Sequence, residues 1–372
     1  MSYIIAEYIW LDGRKKFRSK AKVVKYSPSD YFDIPVFPDW DYDGSSTGQA
    51  EGKKSEIILH PIYVCNNPFT NTGENKLLYS KLVLCETYHP DGVPTESNTR
   101  YYCKKDYNIC ADQKPLFGLE QEYFIFDKRI ETTPHHQLFY ETTEHYCGVG
   151  KEIEYRKIAQ EHMMACIKAN ITISGMNAEV SRNQWEFQIG PSEGIKAADE
   201  LLMARYILES IAEKYGVTIS YEPKPFTHIN GSGCHTNFST LLMRTPCEDN
   251  AGLKEIYRVI HNLEKYHKED IHQFGESNQS RLSGIHETSS YYKFTYGVGD
   301  RGASVRINTN THRLGYGYFE DRRPAANMDP YIVTGILMSR LHEDGEPSKP
   351  YEPYEPYKQS KFMSNKVYSR EV

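Results

Sequence analysis

The chain has 372 residues, a quarter of them charged, with a formal net charge of -6 and a pI near 6.2. That balance excludes nucleic acid or an anionic membrane as the main partner. No apolar run approaches bilayer length, the eight residues Tyr331–Met338 being among the longest, and the first residues lack the charged and apolar regions of a signal peptide. Eight cysteines lie between residues 65 and 247 without a CxxC pair, which predicts buried thiols in a cytoplasmic protein rather than a zinc or disulfide framework.

Residues 1–105 read as strands and turns, a small mixed-β domain. Ser2–Leu11 is β-rich and closes at Asp12-Gly13, a hairpin signal, before the basic segment Arg14–Lys25. Asp41–Gln49 is a polar loop containing glycine, and Ile57–Val64 and Lys81–Glu86 are further strands. From residue 106 to 343, strand candidates (117–126, 184–189, 233–240, 303–307, 316–320) alternate with amphipathic helices (152–169, 195–215, 253–274, 331–341). Asp329-Pro330 supplies the last helix with an N-cap followed by proline at its first position. Residues 344–372 form a Tyr/Pro/Glu-rich tail with the repeat Tyr351-Glu-Pro-Tyr-Glu-Pro-Tyr357, read as extended chain.

Five short segments carry the chemistry. In Phe117-Gly-Leu-Glu-Gln-Glu-Tyr-Phe-Ile-Phe126, Glu120 and Glu122 share one strand face within an otherwise apolar stretch. Gln184, Glu186 and Gln188 likewise alternate with Trp185, Phe187 and Ile189. Glu179 and Glu320 bring the carboxylates to five, which repel one another unless cations lie between them. In Asn230-Gly-Ser-Gly-Cys-His-Thr-Asn-Phe-Ser239, glycines allow close backbone approach, and His235, Asn237 and Ser239 alternate along one face. Oxygen-rich sites with one imidazole suit Mg²⁺ or Mn²⁺ better than zinc.

Arg301, Arg306, Arg322 and Arg323 fall in β-like stretches beside these carboxylates, the combination phosphoryl transfer requires. Taken alone they read equally as surface ion pairs. P-loop and dinucleotide fingerprints are absent. Arg281-Leu-Ser-Gly-Ile-His-Glu-Thr-Ser289 reads as a glycine-centred loop carrying His286 and Glu287. Such a loop could close over a reactive intermediate, or be an ordinary surface loop.

Together these segments closely resemble the glutamine synthetase family in its eukaryotic-type branch. The matching segments are Trp40–Gly48, Asn75–Leu77, Leu82–Glu86, Gly118–Tyr123, Tyr146–Gly150 and Asn177–Val180, then Gln184–Gly194, Asn230–Thr240, Gly284–Ser289 and Gly317–Pro324. The resemblance implies an α+β fold. A small N-terminal β-grasp-like domain would precede a larger catalytic domain with a curved antiparallel sheet and flanking helices. It implies ligation of ammonia to the γ-carboxylate of L-glutamate, with ATP as co-substrate, through a γ-glutamyl phosphate.

By the same resemblance, two or three Mg²⁺ or Mn²⁺ ions serve each site. Glu122, Glu179 and Glu186 match the ligands of one ion, and Glu120, His235 and Glu320 those of the second. Asn230, Gly231, Arg281, Arg301 and Arg322 match glutamate- or phosphoryl-binding residues. Asn237, Ser239, Arg306 and Tyr318, with Glu120, Glu186 and Arg301, match the nucleotide's surroundings. Asp43, Glu287, Arg301 and Arg322 match catalytic residues, Asp43 reaching the site of the next subunit and Glu287 lying on the flap. Rings of subunits follow, with a decamer expected, and neither nucleic acid nor membrane as partner.

The sequence departs from the family at Leu116, where an aromatic residue is expected before Phe117, and at Ile229, where tryptophan is usual. Residues 127–145 and 308–314 and the tail also differ. These differences keep two alternatives in view: a γ-glutamyl ligase for larger amines, and a catalytically silent ring.

Overall fold

The computed structural model describes residues 2–26, 36–70, 78–127, 144–150, 153–285 and 288–341. The tail, His286 and Glu287, and nearly all of the divergent 127–145 segment lie outside the described residues. The first unit is a sheet of β1 (Ser2–Leu11), β2 (Phe17–Tyr26), β3 (Trp40–Asp43), β4 (Glu56–Asn66) and β5 (Leu78–Tyr88) in the order β2-β1-β5-β4-β3. Its central pair, β1 and β5, is parallel, and the other junctions are antiparallel. The β1–β2 turn is tied by the buried Asp12 carboxylate, which accepts from Arg14 N, Lys16 N and Arg18 Nε at 2.8–3.0 Å. The expected basic segment is therefore mostly a strand.

Strict alternation divides β1 between two cores. Ile4, Ala6, Tyr8 and Trp10 pack with Tyr42, Ile57 and Leu59 within the first unit. Ile9, with Leu82 and Leu84 of β5, joins the main core of the chain.

The second unit contains β6 (Leu116–Asp127), β7 (Ile173–Ala178), β8 (Gln184–Glu193), β9 (Val217–Ser220) and β10 (Cys234–Ser239). It is completed by β11 (Tyr296–Val298), β12 (Val305–Ile307) and β13 (Phe319–Asp321). They form one sheet in the order β11-β12-β13-β10-β6-β8-β7, with β9 also on β6. Every junction is antiparallel except β11–β12, which is parallel. Register shifts at Phe117/Leu119 and Ile173/Gly175 mark where the sheet bends.

Among the described residues, five helices of ten or more residues accompany this sheet: α1 (Thr99–Ile109), α2 (Arg156–Ala169), α3 (Lys196–Tyr215), α4 (Ala251–Lys265) and α5 (Pro330–Ser339). Helix α3 packs on β8 and β9. Trp185, Phe187 and Ile189 of β8 are buried in the shared core, which leaves Glu186 and Gln188 on the opposite face. The two units are clamped by Arg100 of α1, which pairs with Glu86 of β5 at 2.8 Å and Asp199 of α3 at 2.9 Å.

Three local expectations differ. The helix expected over 253–274 ends at Lys265, because Tyr266 leaves helical geometry (φ -102°, ψ 9°), and a single turn, His267–Asp270, follows. Helix α1 was read as part of a β domain, and it runs across the expected boundary at residue 105. Strand β7 was not anticipated, since Gly175 weakens its strand signal.

Candidate active site

The sheet register builds the site. Asn177 of β7 lies opposite Glu186 of β8, and Glu186 opposite Glu122 of β6. Two residues earlier on β6, Glu120 faces His235 of β10. Two residues further along β10, Asn237 faces Glu320 of β13, which faces Arg306 of β12. One diagonal row thus carries the carboxylates and the imidazole across six strands, with Glu179 just beyond the end of β7. Like charges directly opposite one another destabilise a sheet, so the Glu122/Glu186 pair calls for bound protons or a compensating cation.

Two groups of donor atoms converge. Atoms of Glu120, His235 and Glu320 lie within 4.8 Å of one another, as do atoms of Glu122, Glu179 and Glu186. His235 Nδ1 is 3.6 Å from both Glu120 and Glu320 and 3.9 Å from Glu122, so the trios adjoin. Burial, then the Glu120, Glu122 and Glu179 charges, raises the Glu186 carboxyl to about 10. Burial and the Glu179 charge raise Glu122 to about 8, and burial raises Glu179. Burial, followed by the Arg322 charge, holds His235 well below the usual imidazole range, which leaves a neutral ring with one lone-pair nitrogen for a cation. A hard divalent cation suits both all-oxygen and oxygen-plus-imidazole sets.

The Gly231-Ser-Gly233 turn contributes in an unexpected way. Its close backbone approach is to the chain's own charged groups. Gly233 N donates to Glu122 Oε2 at 2.7 Å. A Cβ on Gly233 would lie 2.4 Å from Arg281 Nη2 and 2.9 Å from His235 Nε2, and one on Gly231 2.3 Å from the Pro223 carbonyl and 2.9 Å from Arg281 Cγ. Arg281 is buried, donates toward His235 Nε2 at 3.1 Å and bonds the Arg322 and Arg323 carbonyls. Burial, offset in part by Glu122, lowers it to about 10.

Arg322 donates to Glu320 at 2.5 Å and to the Arg301 carbonyl at 3.2 Å, and Arg306 donates to the other Glu320 oxygen at 3.1 Å. The Arg301 guanidinium lies 5.9 Å from the centre of the Tyr146 ring. Both trios, Asn230, Gly231, Arg281, Arg301, Arg306 and Arg322 line one polar cavity of about 390 Å³, whereas Arg323 is buried on Asp321.

A second cavity of about 400 Å³ is apolar, walled by Leu116, Phe117, Ile189, Pro191 and Phe238. Asn237, Ser239 and Tyr318 border it, and Asn237 Nδ2 donates to Glu120 at 2.7 Å. Glu120 and Gln188 line both cavities, so the apolar chamber opens beside the charged one. Leu116 is thus part of the apolar wall, whereas Ile229 is buried and lines neither cavity.

Asp43 stands apart. It ends β3, is exposed, and caps the turn Gly44–Thr47 by accepting from Ser45 N, Ser45 Oγ and Ser46 Oγ. The Ser45 and Ser46 hydroxyls hold its carboxyl below the usual range. It lines neither cavity of its own chain. Glu287 lies outside the described residues.

Residues without an expected role also face the site. Gln184 Nε2 bonds the Gly231 carbonyl at 2.9 Å and Ser232 Oγ at 3.1 Å, bracing the glycine turn. Asn177, Gln188 and Tyr146 line the polar cavity. Alternation had placed Gln184 and Gln188 on the Glu186 face, but alternation alone does not assign a partner.

A family model described as "Glutamine synthetase, catalytic domain" matches residues 96–356. The chain belongs to the glutamine synthetase family. A glutamine synthetase of Tuber borchii is 46% identical over 342 residues, 91% of this chain and 92% of the relative. One of Debaryomyces hansenii is 44% identical over 342 residues, covering 91% and 89%. A cryo-EM structure of Plasmodium falciparum glutamine synthetase shares the fold at a TM-score of 0.70 and 18% identity, over 91% of this chain and 71% of that one. Divalent metal and ATP use are features of the glutamine synthetase family, and the two trios offer such ions donors.

Proposed function

We infer that the chain joins ammonia to the γ-carboxylate of L-glutamate with ATP, releasing glutamine, ADP and phosphate. Family membership supports the reaction. The observation that supports its placement is the pair of abutting cavities, one apolar and one holding both trios and four arginines. The apolar chamber accommodates a purine, and Glu120 marks where the phosphates would enter the charged one. In the first step a γ-carboxylate oxygen attacks the terminal phosphorus of ATP, and ADP leaves with the electron pair of the broken bond. Arg301, Arg306 and Arg322 face the charge that develops. In the second, ammonia attacks the γ-carbonyl and phosphate departs.

Glu122, Glu179 and Glu186 would hold one Mg²⁺ or Mn²⁺, and Glu120, His235 and Glu320 a second. When bound, the ions neutralise phosphate charge and polarise the reacting oxygens. Arg281, with Asn230 and Gly231, is placed to hold the substrate carboxylates. Asn237, Ser239 and Tyr318 border the nucleotide. Asp43 would take a proton from ammonium in the site of the neighbouring subunit, which its position outside its own chain's cavities supports. Glu287 would cover the acyl phosphate. That arrangement requires a ring, for which we propose a decamer. Cysteines that form no disulfide among the described residues support residence in the cytoplasm.

Phosphate release with ATP, Mg²⁺ and glutamate tests the reading. It should proceed to stoichiometric turnover only when ammonium is present. Equal steady-state release without ammonium, or preference for a bulky amine, would overturn it.

A further inference from the structure

Asn177 and Gln188 have no role in the reading above, yet they connect two carboxylates of one trio. Gln188 Nε2 donates to Asn177 Oδ1 at 2.8 Å and also to Glu186 Oε1. Asn177 Nδ2 donates in turn to Glu179 Oε1 at 2.9 Å. The result is a continuous amide relay, Glu186–Gln188–Asn177–Glu179, across β7 and β8. It takes one oxygen of each carboxylate. Among the described residues, the second Glu179 oxygen receives only the Val180 amide, at 3.3 Å.

The backbone prepares a place for the relay. Gly175 lies opposite Gln188 in the ladder. A Cβ there would sit 2.7 Å from Gln188 Oε1, and among the described residues that carboxamide is all it would meet within 4 Å.

The other trio is braced differently, by Arg306 and Arg322 on Glu320 and by Asn237 on Glu120. Between Glu179 and Glu186 the bracing groups are neutral carboxamides, which add no positive charge of their own beside an ion. Neutral carboxamides orient the same oxygens without competing for the site.

We propose that Asn177 and Gln188 are positioning residues that hold Glu179 and Glu186 in the paired orientation a divalent cation requires. The proposal rests on the cation reading of that trio. Loss of such supporting bonds typically weakens a metal site by about 10–100-fold.

The test is Mn²⁺ binding alone, without nucleotide or glutamate, to the full metal-free chain, followed by the resonance of free Mn²⁺. Gln188→Leu and Asn177→Ala remove donors. Gly175→Ala leaves both carboxamides in the chain and only displaces Gln188, so it decides the matter if the others fail to fold. We expect one class of site to weaken about 10–100-fold, and kcat to return toward the parent value as the cation is raised. General structural damage would show no such rescue. Affinity within about twofold of the parent in a folded variant overturns the proposal. Glu186→Ala separates the two levels. If it keeps both classes of site, the cation reading itself fails. If it loses one while Gly175→Ala binds as the parent does, only the relay fails.

Discussion

Replacing Glu186 by glutamine should stabilise the metal-free protein and weaken its response to cation. Glu186 is 8% exposed and opposes Glu122 in the ladder. With ligand atoms within 4.8 Å of one another, two full charges would repel by at least about 3 kcal/mol at an effective dielectric near 20. Linkage gives a similar figure. The folded carboxyl titrates near 10 against a reference of 4.5. The unfolded chain therefore sheds its proton first, and stability falls as pH rises above about 4.5. By pH 7 that cost is about 3 kcal/mol, counted at ~1.4 kcal/mol per pH unit.

Glutamine keeps the shape and the acceptor oxygen without the charge. In chelator, the Glu186→Gln unfolding midpoint should rise by roughly 5 °C over the parent at pH 7. In saturating Mg²⁺ the order should reverse, because only the parent keeps the Glu122, Glu179 and Glu186 site and gains its binding energy. Differential scanning calorimetry at fixed protein concentration reads both. A lower midpoint for the variant in chelator, or equal Mg²⁺ stabilisation of variant and parent, would refute the reasoning.

Three further outcomes follow from the same site. Since Glu122 and Glu186 hold protons below about pH 8 without cation, Mg²⁺ binding should release protons and tighten as pH rises from 6 to 8; calorimetry in buffers of different ionisation heat checks it, and pH-independent binding argues against it. Gly233→Ala must displace Arg281, whose Nη2 would lie 2.4 Å from the new Cβ, and press on His235, whose Nε2 would lie 2.9 Å away, so the KM for glutamate should rise about tenfold or more, with a rise in the KM for ATP beside it; an unchanged glutamate KM removes Arg281 from that role. Mixed rings of Asp43→Ala and Glu186→Ala subunits, each inactive alone, should recover part of the activity. No recovery in well-exchanged rings counts against a site shared between subunits.

Much of the site was legible because a strand writes its facing residues into the sequence at every second position. Glu120 with Glu122, and Gln184 with Glu186 and Gln188, could be placed on common faces from alternation alone. The diagonal row that joins them could not, because register between distant strands leaves no local trace. Nor could the glycine turn's true neighbour, since Gly231 and Gly233 yield to a buried arginine fifty residues later in the chain.

The fold's missed elements have similar causes. Helix α1 buries only Thr99, Cys103 and Tyr107, a stripe one residue wide, so its pattern is faint despite the Asn98 cap. Helix α4 was overextended because the apolar period continues past Tyr266 into the next turn, although the backbone breaks there. The division into two trios and the ion each serves rest on family resemblance; the sheet register supplies a geometric reason for two adjoining trios.

The central claim is that glutamate's own oxygen takes the phosphoryl group at this site before ammonia enters. Glutamate carrying ¹⁸O in the γ-carboxylate tests it most directly, with the released phosphate read by mass spectrometry. The account predicts one labelled oxygen in each phosphate formed with glutamine. Unlabelled phosphate accompanying glutamine would contradict it.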